Sequence, residues 1–335
     1  MRLQKIEFGP CLDAAGVRGW TGEGYRHHRF MPWLSFEGST FVAKTTTLPP
    51  RIPPEAGILP IESTFPYAPK EVLPKCIWFD LASGRTLNAV GLSGPGAKVL
   101  LSKEILEKYP QEKPFQFSFM SVEKTAEERL VEFKKFIILL LSQLKLMRKY
   151  KLVFGLQINI SCPNTGLDPA HLVDEAITLL DAAQPLTELG IPIIIKLNVL
   201  APIKAVVEIA NHRNCNAICV SNTIPFGALP ERIAWKKIFP HGSPLKLRDP
   251  NLPEGGYSGP ELLSLVGEFI YAAKLAGVKK PWNAGGGIRH PRDVGYLVEK
   301  AKLSQGRDSI FIGSAAMVRP HQVLRIIRAA HRLLG

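Results

Sequence analysis

The chain has 335 residues, 46% hydrophobic and 21% charged, which allows a sizeable core and excludes a disordered or fibrous composition. Against 29 Asp and Glu stand 42 Lys and Arg, leaving +13, a balance that suits either an anionic partner or a solvated basic surface. The charges are scattered and no nucleic-acid motif appears, so no nucleic-acid partner is expected. The longest apolar run, "FIILLL" at 136–141, is far short of the roughly 20 residues that span a bilayer, so no membrane partner is expected either.

In chain order, "STFVAK" (39–44), "FQFSFM" (115–120), "VFGLQINI" (153–160), "IPIIIKLNV" (191–199), "NAICVS" (216–221) and "SIFIG" (309–313) read as strands. "KPWNA" (280–284) is a shorter candidate before a glycine run. Helices are expected between them. The clearest covers 125–150, where Leu130, Phe133, Ile137, Leu140, Leu144 and Met147 form one apolar stripe and Thr125 with Glu128 makes a capping box. Others fit 170–183, 202–212, 260–276, 292–302 and 320–334.

Repeated strand–helix units predict parallel β-structure with right-handed crossovers. About eight units in this length favour a (β/α)8 barrel of the α/β class over an open sheet. No long linker divides the chain, so residues 1–335 are expected to form one domain. Residues 49–74 hold eight prolines and are expected to form an extended loop over the C-terminal barrel mouth.

The five cysteines, Cys11, Cys76, Cys162, Cys215 and Cys219, include no CxxC pair. The opening "MRLQKIEFG" lacks the apolar stretch of a secretory signal. Free thiols in a reducing cytoplasm are expected, without disulfides or a zinc site. Cys215 and Cys219 read as structural, and His27 and His28 as surface residues.

In such a barrel the site lies at the C-terminal strand ends. Those ends carry Lys44 and Thr45, Ser118, Asn159 to Asn164 with Cys162, Lys196 and Asn198, then Ser221, Asn222 and Thr223. Polar groups left unsatisfied there would cost about 1–3 kcal/mol each. Lys196 stands inside an apolar strand, so it must find an anion or a polar partner. The last two strands end in Gly285-Gly286-Gly287 and Gly313-Ser314, each before a helix. Backbone N–H groups at such turns cradle phosphate; a tight turn is the plainer reading of either alone.

"NISCPN" (159–164), "LNAVGL" (87–92) and "AKTTTLPPR" (43–51) resemble the dihydroorotate dehydrogenase family. "IKLN" (195–198), "SNTI" (221–224), "GGYSGP" (255–260), "GGGI" (285–288) and "IGSA" (312–315) fall in that family's order. The resemblance implies an FMN enzyme that oxidises dihydroorotate to orotate in pyrimidine biosynthesis. It makes Cys162 the base at C5. It assigns Ala15, Lys44, Thr45, Ser118, Asn159, Lys196, Ser221 and Gly259 to the flavin, and Gly286, Gly287, Gly313 and Ser314 to its phosphate. Substrate contacts are implied for Lys44, Asn88, Ala89, Val90, Gly91, Leu92, Asn159, Asn164, Asn222 and Thr223.

A cysteine base and a barrel that starts by about residue 8 are similar to the soluble class 1 of the family. Some members of that class reduce fumarate; others use an electron-transfer partner subunit that reduces NAD, and "NAVGLSGPG" looks more like the second group. A homodimer is compatible with either. There is one departure in the loop: that group carries Asn two residues after Leu92, and here Gly94 stands there. The longer Pro-rich stretch is another. Both leave two rivals open: the same chemistry on another dihydropyrimidine or cyclic amide, and a non-redox barrel that binds a phosphorylated ligand.

Overall fold

Eight parallel strands form the barrel: β1 Cys11–Asp13, β2 Phe41–Val42, β3 Pro114–Phe119, β4 Val153–Asn159, β5 Ile193–Leu197, β6 Ala217–Val220, β7 Trp282–Ala284 and β8 Ser309–Ile312. The computed structural model describes residues 1–161 and 175–335. Neighbouring strands pair in register from β2 through β7 to β8 and back to β1. A parallel bridge from Leu12 to Thr40 closes the ring, with Asp13 N–H donating to Thr40 O and Thr40 N–H to Cys11 O, both at 2.9 Å. The (β/α)8 expectation holds. β1 was absent from the expected strands because three residues carry no readable periodicity.

The outer face is apolar. Leu156 and Ile158 of β4 and Ile193, Ile195 and Leu197 of β5 are buried in the main core with the helices. Helices Ala126–Ser142, Ala176–Ala182, Ile203–Asn211, Glu261–Leu275, Pro291–Lys300 and Val323–Leu334 supply the opposing faces. At the first of these, Thr125 accepts from Glu128 N–H at 3.2 Å and the Glu128 carboxylate accepts from Thr125 N–H at 3.0 Å. Such a cap stabilises a helix by about 1 kcal/mol. The expected helix over 125–150 is broken at Gln143, and a second helix runs over Leu144–Lys149. Of the segment expected over 170–183, residues 170–174 lie outside the described residues.

The N-terminal end of the barrel is plugged. A short hairpin, Arg2–Leu3 against Ile6–Glu7, presents Met1, Leu3 and Phe8 to Leu12, Val42, Ile194, Ala217, Cys219 and Phe311 inside the barrel. Gly155 makes room: a Cβ there would stand 3.1 Å from the Phe8 ring.

Residues 49–74 contain no helix or strand, as their prolines require. They share the cover of the C-terminal end with a feature not expected from the sequence. Four antiparallel strands, Ile224–Pro225, Gly256–Ser258, Arg85–Asn88 and Ile77–Asp80, form a separate sheet. Leu59 and Ile61 of the Pro-rich segment pack with Leu87, Ile224 and Tyr257 of that sheet. Arg85 pairs with Glu261 at 2.5 Å, and Tyr257 donates to the same carboxylate, which ties the sheet to helix Glu261–Leu275.

Candidate active site

Strand alternation sends every second side chain inward. Inside the barrel this produces a polar column above the apolar plug. Thr45 and Ser118 share a hydroxyl hydrogen bond at 2.8 Å, Ser118 donates to Gln157 Oε1 at 3.5 Å, and Gln157 Nε2 donates to Gln116 Oε1 at 3.3 Å. All four residues are buried. On the other wall Asn283 Nδ2 approaches Cys219 Sγ at 3.7 Å, and Ser309 Oγ donates to Asn283 Oδ1 at 3.1 Å. Among the described residues, two buried donors in this region have no partner, Gln116 Nε2 and Asn198 Nδ2. Buried donors without partners are uncommon and mark places where water or a ligand completes the set.

Lys196 sits in β5 opposite Asn159 of β4 and Cys219 of β6 in the strand register. It is 6% exposed, and its ammonium stands 5.9 Å from the centre of the Phe311 ring. Burial pushes the Cys219 thiol up to about 12, against the pull of Lys196. That thiol stays protonated and serves packing, as the sequence suggested.

At the mouth the amides meet. Asn222 Nδ2 donates to Asn159 Oδ1 at 3.0 Å and approaches Ser161 Oγ at 3.4 Å. Asn159 Oδ1 also accepts from Ser161 N–H at 3.3 Å, and Ser161 Oγ donates to the Lys196 carbonyl at 3.3 Å. Thr223 N–H donates to Asn222 Oδ1 at 3.1 Å. Thus Asn159, Lys196, Asn222 and Thr223 form one constellation, and Ser161, for which the motif implies no role, joins them.

Lys44 leaves β2 on the opposite wall. Its ammonium donates to the Ser93 carbonyl at 2.5 Å and lies 4.5 Å from the centre of the Trp20 ring. The Ser93 hydroxyl accepts from Ile58 and Leu59 N–H and donates to Val90 O, fixing the loop that carries Val90 to Leu92. Trp20 and Ser93 were missed because neither stands at a strand end.

The glycine turns are built for close approach. Gly286 and Gly287 have φ of +121° and +74°, where a side chain is strained. A Cβ on Gly287 would stand 2.7 Å from Leu263 N and 2.9 Å from Gly259 O. Ser221 N–H donates to Gly285 O at 2.7 Å, so Ser221 borders the same turn. Gly313 adjoins β1: its Cβ would lie 3.4 Å from that of Ala14, next to Ala15. Ser314 opens the short helix Ala315–Val318.

Asn88 does not come from a barrel strand; it pairs with Gly256 and Ile77 in the antiparallel sheet. Ala89 is fully buried in that sheet's core. Its N–H donates to Cys76 O, Val90 O accepts from Ile58, and Gly91 O accepts from Arg51 Nε at 2.9 Å. The Val90 and Gly91 carbonyls are thus engaged within the fold. Cys162 and Asn164 lie outside the described residues. His27 and His28 are half-buried, packed on Tyr25 and each other, rather than surface residues.

A family model described as dihydroorotate dehydrogenase matches residues 39–294. The chain belongs to the dihydroorotate dehydrogenase family. It is similar to dihydroorotate dehydrogenase A (fumarate) of Lacticaseibacillus paracasei, at 26% identity over 328 residues, 95% of this chain and 91% of the relative. It is also similar to the catalytic subunit of dihydroorotate dehydrogenase B (NAD(+)) of Anoxybacillus flavithermus, at 26% identity over 74% of this chain and 70% of the relative. The match begins at Ser39, so β2 to β7 and the whole antiparallel sheet fall inside it, and β1 with the β1–β2 excursion precedes it. Relatives of both acceptor types match at the same identity, which does not separate them. Among the described residues no helix is long and apolar enough to cross a membrane.

Proposed function

We propose that this chain oxidises dihydroorotate to orotate with FMN, using Cys162 as the base. The observation that carries the reading is the buried Lys196 beside Asn159 and Asn222, inside a barrel of this family. The four described cysteines favour Cys162 by contrast. Cys11, Cys76, Cys215 and Cys219 are all buried, and burial raises each thiol, to about 11 for Cys76 and about 12 for Cys215 and Cys219. None of them suits proton abstraction near neutral pH.

The residues fit a flavin phosphate. Gly286 and Gly287 would hold it by backbone N–H at a turn packed so closely on Leu263 and Gly259 that no side chain fits at Gly287, and Gly313 with Ser314, after the neighbouring strand, would join them. The donors Gln116 Nε2 and Asn198 Nδ2, without a partner among the described residues, fit a barrel that has polar capacity to spare. Bound FMN would supply the hydride acceptor. Lys196 would place positive charge beside it, and Thr45, Ser118, Ser221, Ala15 and Gly259 would line it.

The chain's own part in the reaction is positioning and proton transfer. Asn159, Asn222 and Thr223 orient the ring through its amides, together with N–H groups from Val90 to Leu92, Asn88 and Asn164. Lys44 pairs with the substrate carboxylate. Cys162 takes the proton from C5. A thiol of reference pKa about 8.5 is a few per cent thiolate at pH 7, enough for a base that a closed site protects. The acceptor that reoxidises the enzyme is either fumarate or an electron-transfer partner subunit, and a homodimer fits both. A reducing cytoplasm suits the free thiols.

The test is an anaerobic titration of the purified protein with dihydroorotate. A yellow protein that bleaches stoichiometrically supports the reading. A flavin that dihydroorotate leaves oxidised, while another cyclic amide reduces it, would shift the substrate. A colourless protein that binds no added FMN would overturn the redox reading altogether.

A further inference from the structure

The space around Gly94 identifies a residue that the reaction's expected machinery does not include. A Cβ at Gly94 would stand 2.5 Å from Cη2 of Trp20 and 3.0 Å from Cζ2. Real Cβ atoms do not come that close to a ring carbon, so the indole fills the volume that any side chain at this position would need. Trp20 is 2% exposed, and it cannot swing out without breaking its own packing. The same ring lies 4.5 Å from the Lys44 ammonium, and the carbonyl of Ser93, the residue next to Gly94, accepts from that ammonium at 2.5 Å.

The backbone shows why the indole arrives there. Lys44 N–H donates to Gly19 O at 2.9 Å, which fastens the turn before Trp20 to the end of β2. The Glu23 carboxylate accepts from Trp20 N–H at 2.9 Å and from Thr21 N–H at 2.7 Å, which sets the direction of the next step. Gly16, at φ +91°, lies against the Lys44 stem, where a Cβ would come within 3.3 Å of Cγ. A loop of the β1–β2 excursion is thus bonded so as to set one aromatic face on one lysine.

We propose that Trp20 is a positioning residue for Lys44 and a determinant of substrate choice. Its ring fixes the ammonium by a cation–π contact and takes the place of a hydrogen-bonding side chain at position 94. The pocket then recognises its substrate's carboxylate through Lys44 held by an indole and a carbonyl. This deepens the proposed function and rests on its assignment of Lys44 to the substrate carboxylate. A desolvated cation–π contact accounts for about a tenfold effect when the ring is lost.

The test compares Trp20→Leu, Trp20→Phe and Gly94→Ala as flavin-loaded enzymes. In Trp20→Leu the kcat/KM for dihydroorotate should fall about tenfold, mainly through KM, because Lys44 acts in binding. Dihydrouracil, which lacks the carboxylate, should change less than about twofold, so the preference for dihydroorotate should collapse. Trp20→Phe keeps an aromatic face and should retain most of that preference. An unchanged preference in Trp20→Leu overturns the proposal, as does a Trp20→Phe variant no better than Trp20→Leu.

A second measurement does not depend on the substrate. Gly94→Ala should lower the thermal midpoint in the wild-type background and much less in Trp20→Leu, because the leucine gives way. Additive losses overturn the claim that Trp20 fills the space at position 94. If the wild type oxidises neither compound, the proposed function fails, and this cycle still decides the placement of Trp20. If Trp20→Leu does not fold, the cycle is run with Trp20→Phe, whose ring stops short of the position of Cη2.

Discussion

Asn222 donates its amide to Asn159 Oδ1 at 3.0 Å, so two residues from the ends of β6 and β4 are locked in one orientation. The direction is determined, because Asn222 Oδ1 already accepts from Thr223 N–H and Asn159 Oδ1 also accepts from Ser161 N–H. The Asn222→Ala substitution removes the donor that holds Asn159. Orotate binding, followed by the perturbation of the flavin spectrum, is expected to weaken by about tenfold, the size of one good hydrogen bond at a buried site. Flavin content should stay near that of wild type. Loss of flavin together with orotate affinity would place Asn222 at the cofactor instead.

Lys196 leads to a different expectation. It stands in register with Asn159 and Cys219, against Phe311. Under the proposed function, Lys196→Ala is expected to weaken FMN binding or to lower the flavin potential, since the positive charge proposed to lie beside the reduced ring is lost. The two readouts are flavin content after gel filtration and a redox titration against a reference dye. A fully loaded variant with an unaltered potential would mean that Lys196 serves the barrel interior alone.

Gly287 tests the phosphate cradle. Its φ of +74° and the 2.7 Å from its would-be Cβ to Leu263 N make alanine costly at the backbone, where neighbours cannot yield. Gly287→Ala should lose stability and most of its FMN. Gly277 is the control, because it too has positive φ, +103°, but nothing lies within 4 Å of its would-be Cβ. If Gly277→Ala loses as much flavin as Gly287→Ala, the effect is one of general stability and not of the cradle.

The contrast between these residues shows what the sequence could disclose. Lys196 and Asn159 were legible because a charge or an amide inside an apolar strand has to be placed somewhere. The glycine turns were legible because they end strands. Trp20, Ser93 and Gln116 were not. Trp20 becomes meaningful only when a loop of the β1–β2 excursion is bonded to Lys44, a contact across 24 positions that no periodicity announces. The antiparallel sheet was missed for a similar reason. Its strands have two to four residues, and the pairing that holds the sheet together, Gly256 with Asn88, joins positions 168 apart. Short strands of this kind are stabilised by packing among Leu87, Tyr257 and Ile224 rather than by propensity.

The His28 ring carries a pH dependence of its own. Burial lowers its pKa to about 4, helped by repulsion from His27. A base whose folded pKa lies below its unfolded value of about 6.5 favours the folded state at higher pH. That contribution is complete above the unfolded pKa and is lost as pH falls from about 6.5 toward about 4. His28→Gln cannot titrate. Its stability in urea should therefore fall less than that of wild type between pH 7 and pH 4.5. Parallel curves would mean that the ring is as solvated in the folded chain as in the unfolded one.

Cys162 is the assignment on which the chemistry depends, and its test separates binding from proton transfer. Serine keeps the size and most of the hydrogen bonding of cysteine, and the amides of Asn159 and Asn222 are untouched. FMN content and orotate affinity should therefore survive in Cys162→Ser. The proposed base is what changes. A thiol with a reference pKa of about 8.5 supplies some thiolate at neutral pH, while an unassisted hydroxyl supplies almost none. Reduction of the flavin by dihydroorotate in an anaerobic stopped-flow experiment should slow by about two orders of magnitude or more at pH 7, in the range ascribed to general-base catalysis. The wild-type rate should rise with pH up to the thiol's pKa and then level off. In the serine variant that inflection should vanish and the rate should keep climbing at high pH. A variant that reduces the flavin at the wild-type rate, with the same inflection, would take the proton from C5 with another group. The four described cysteines could not replace it, because each is buried with a raised pKa.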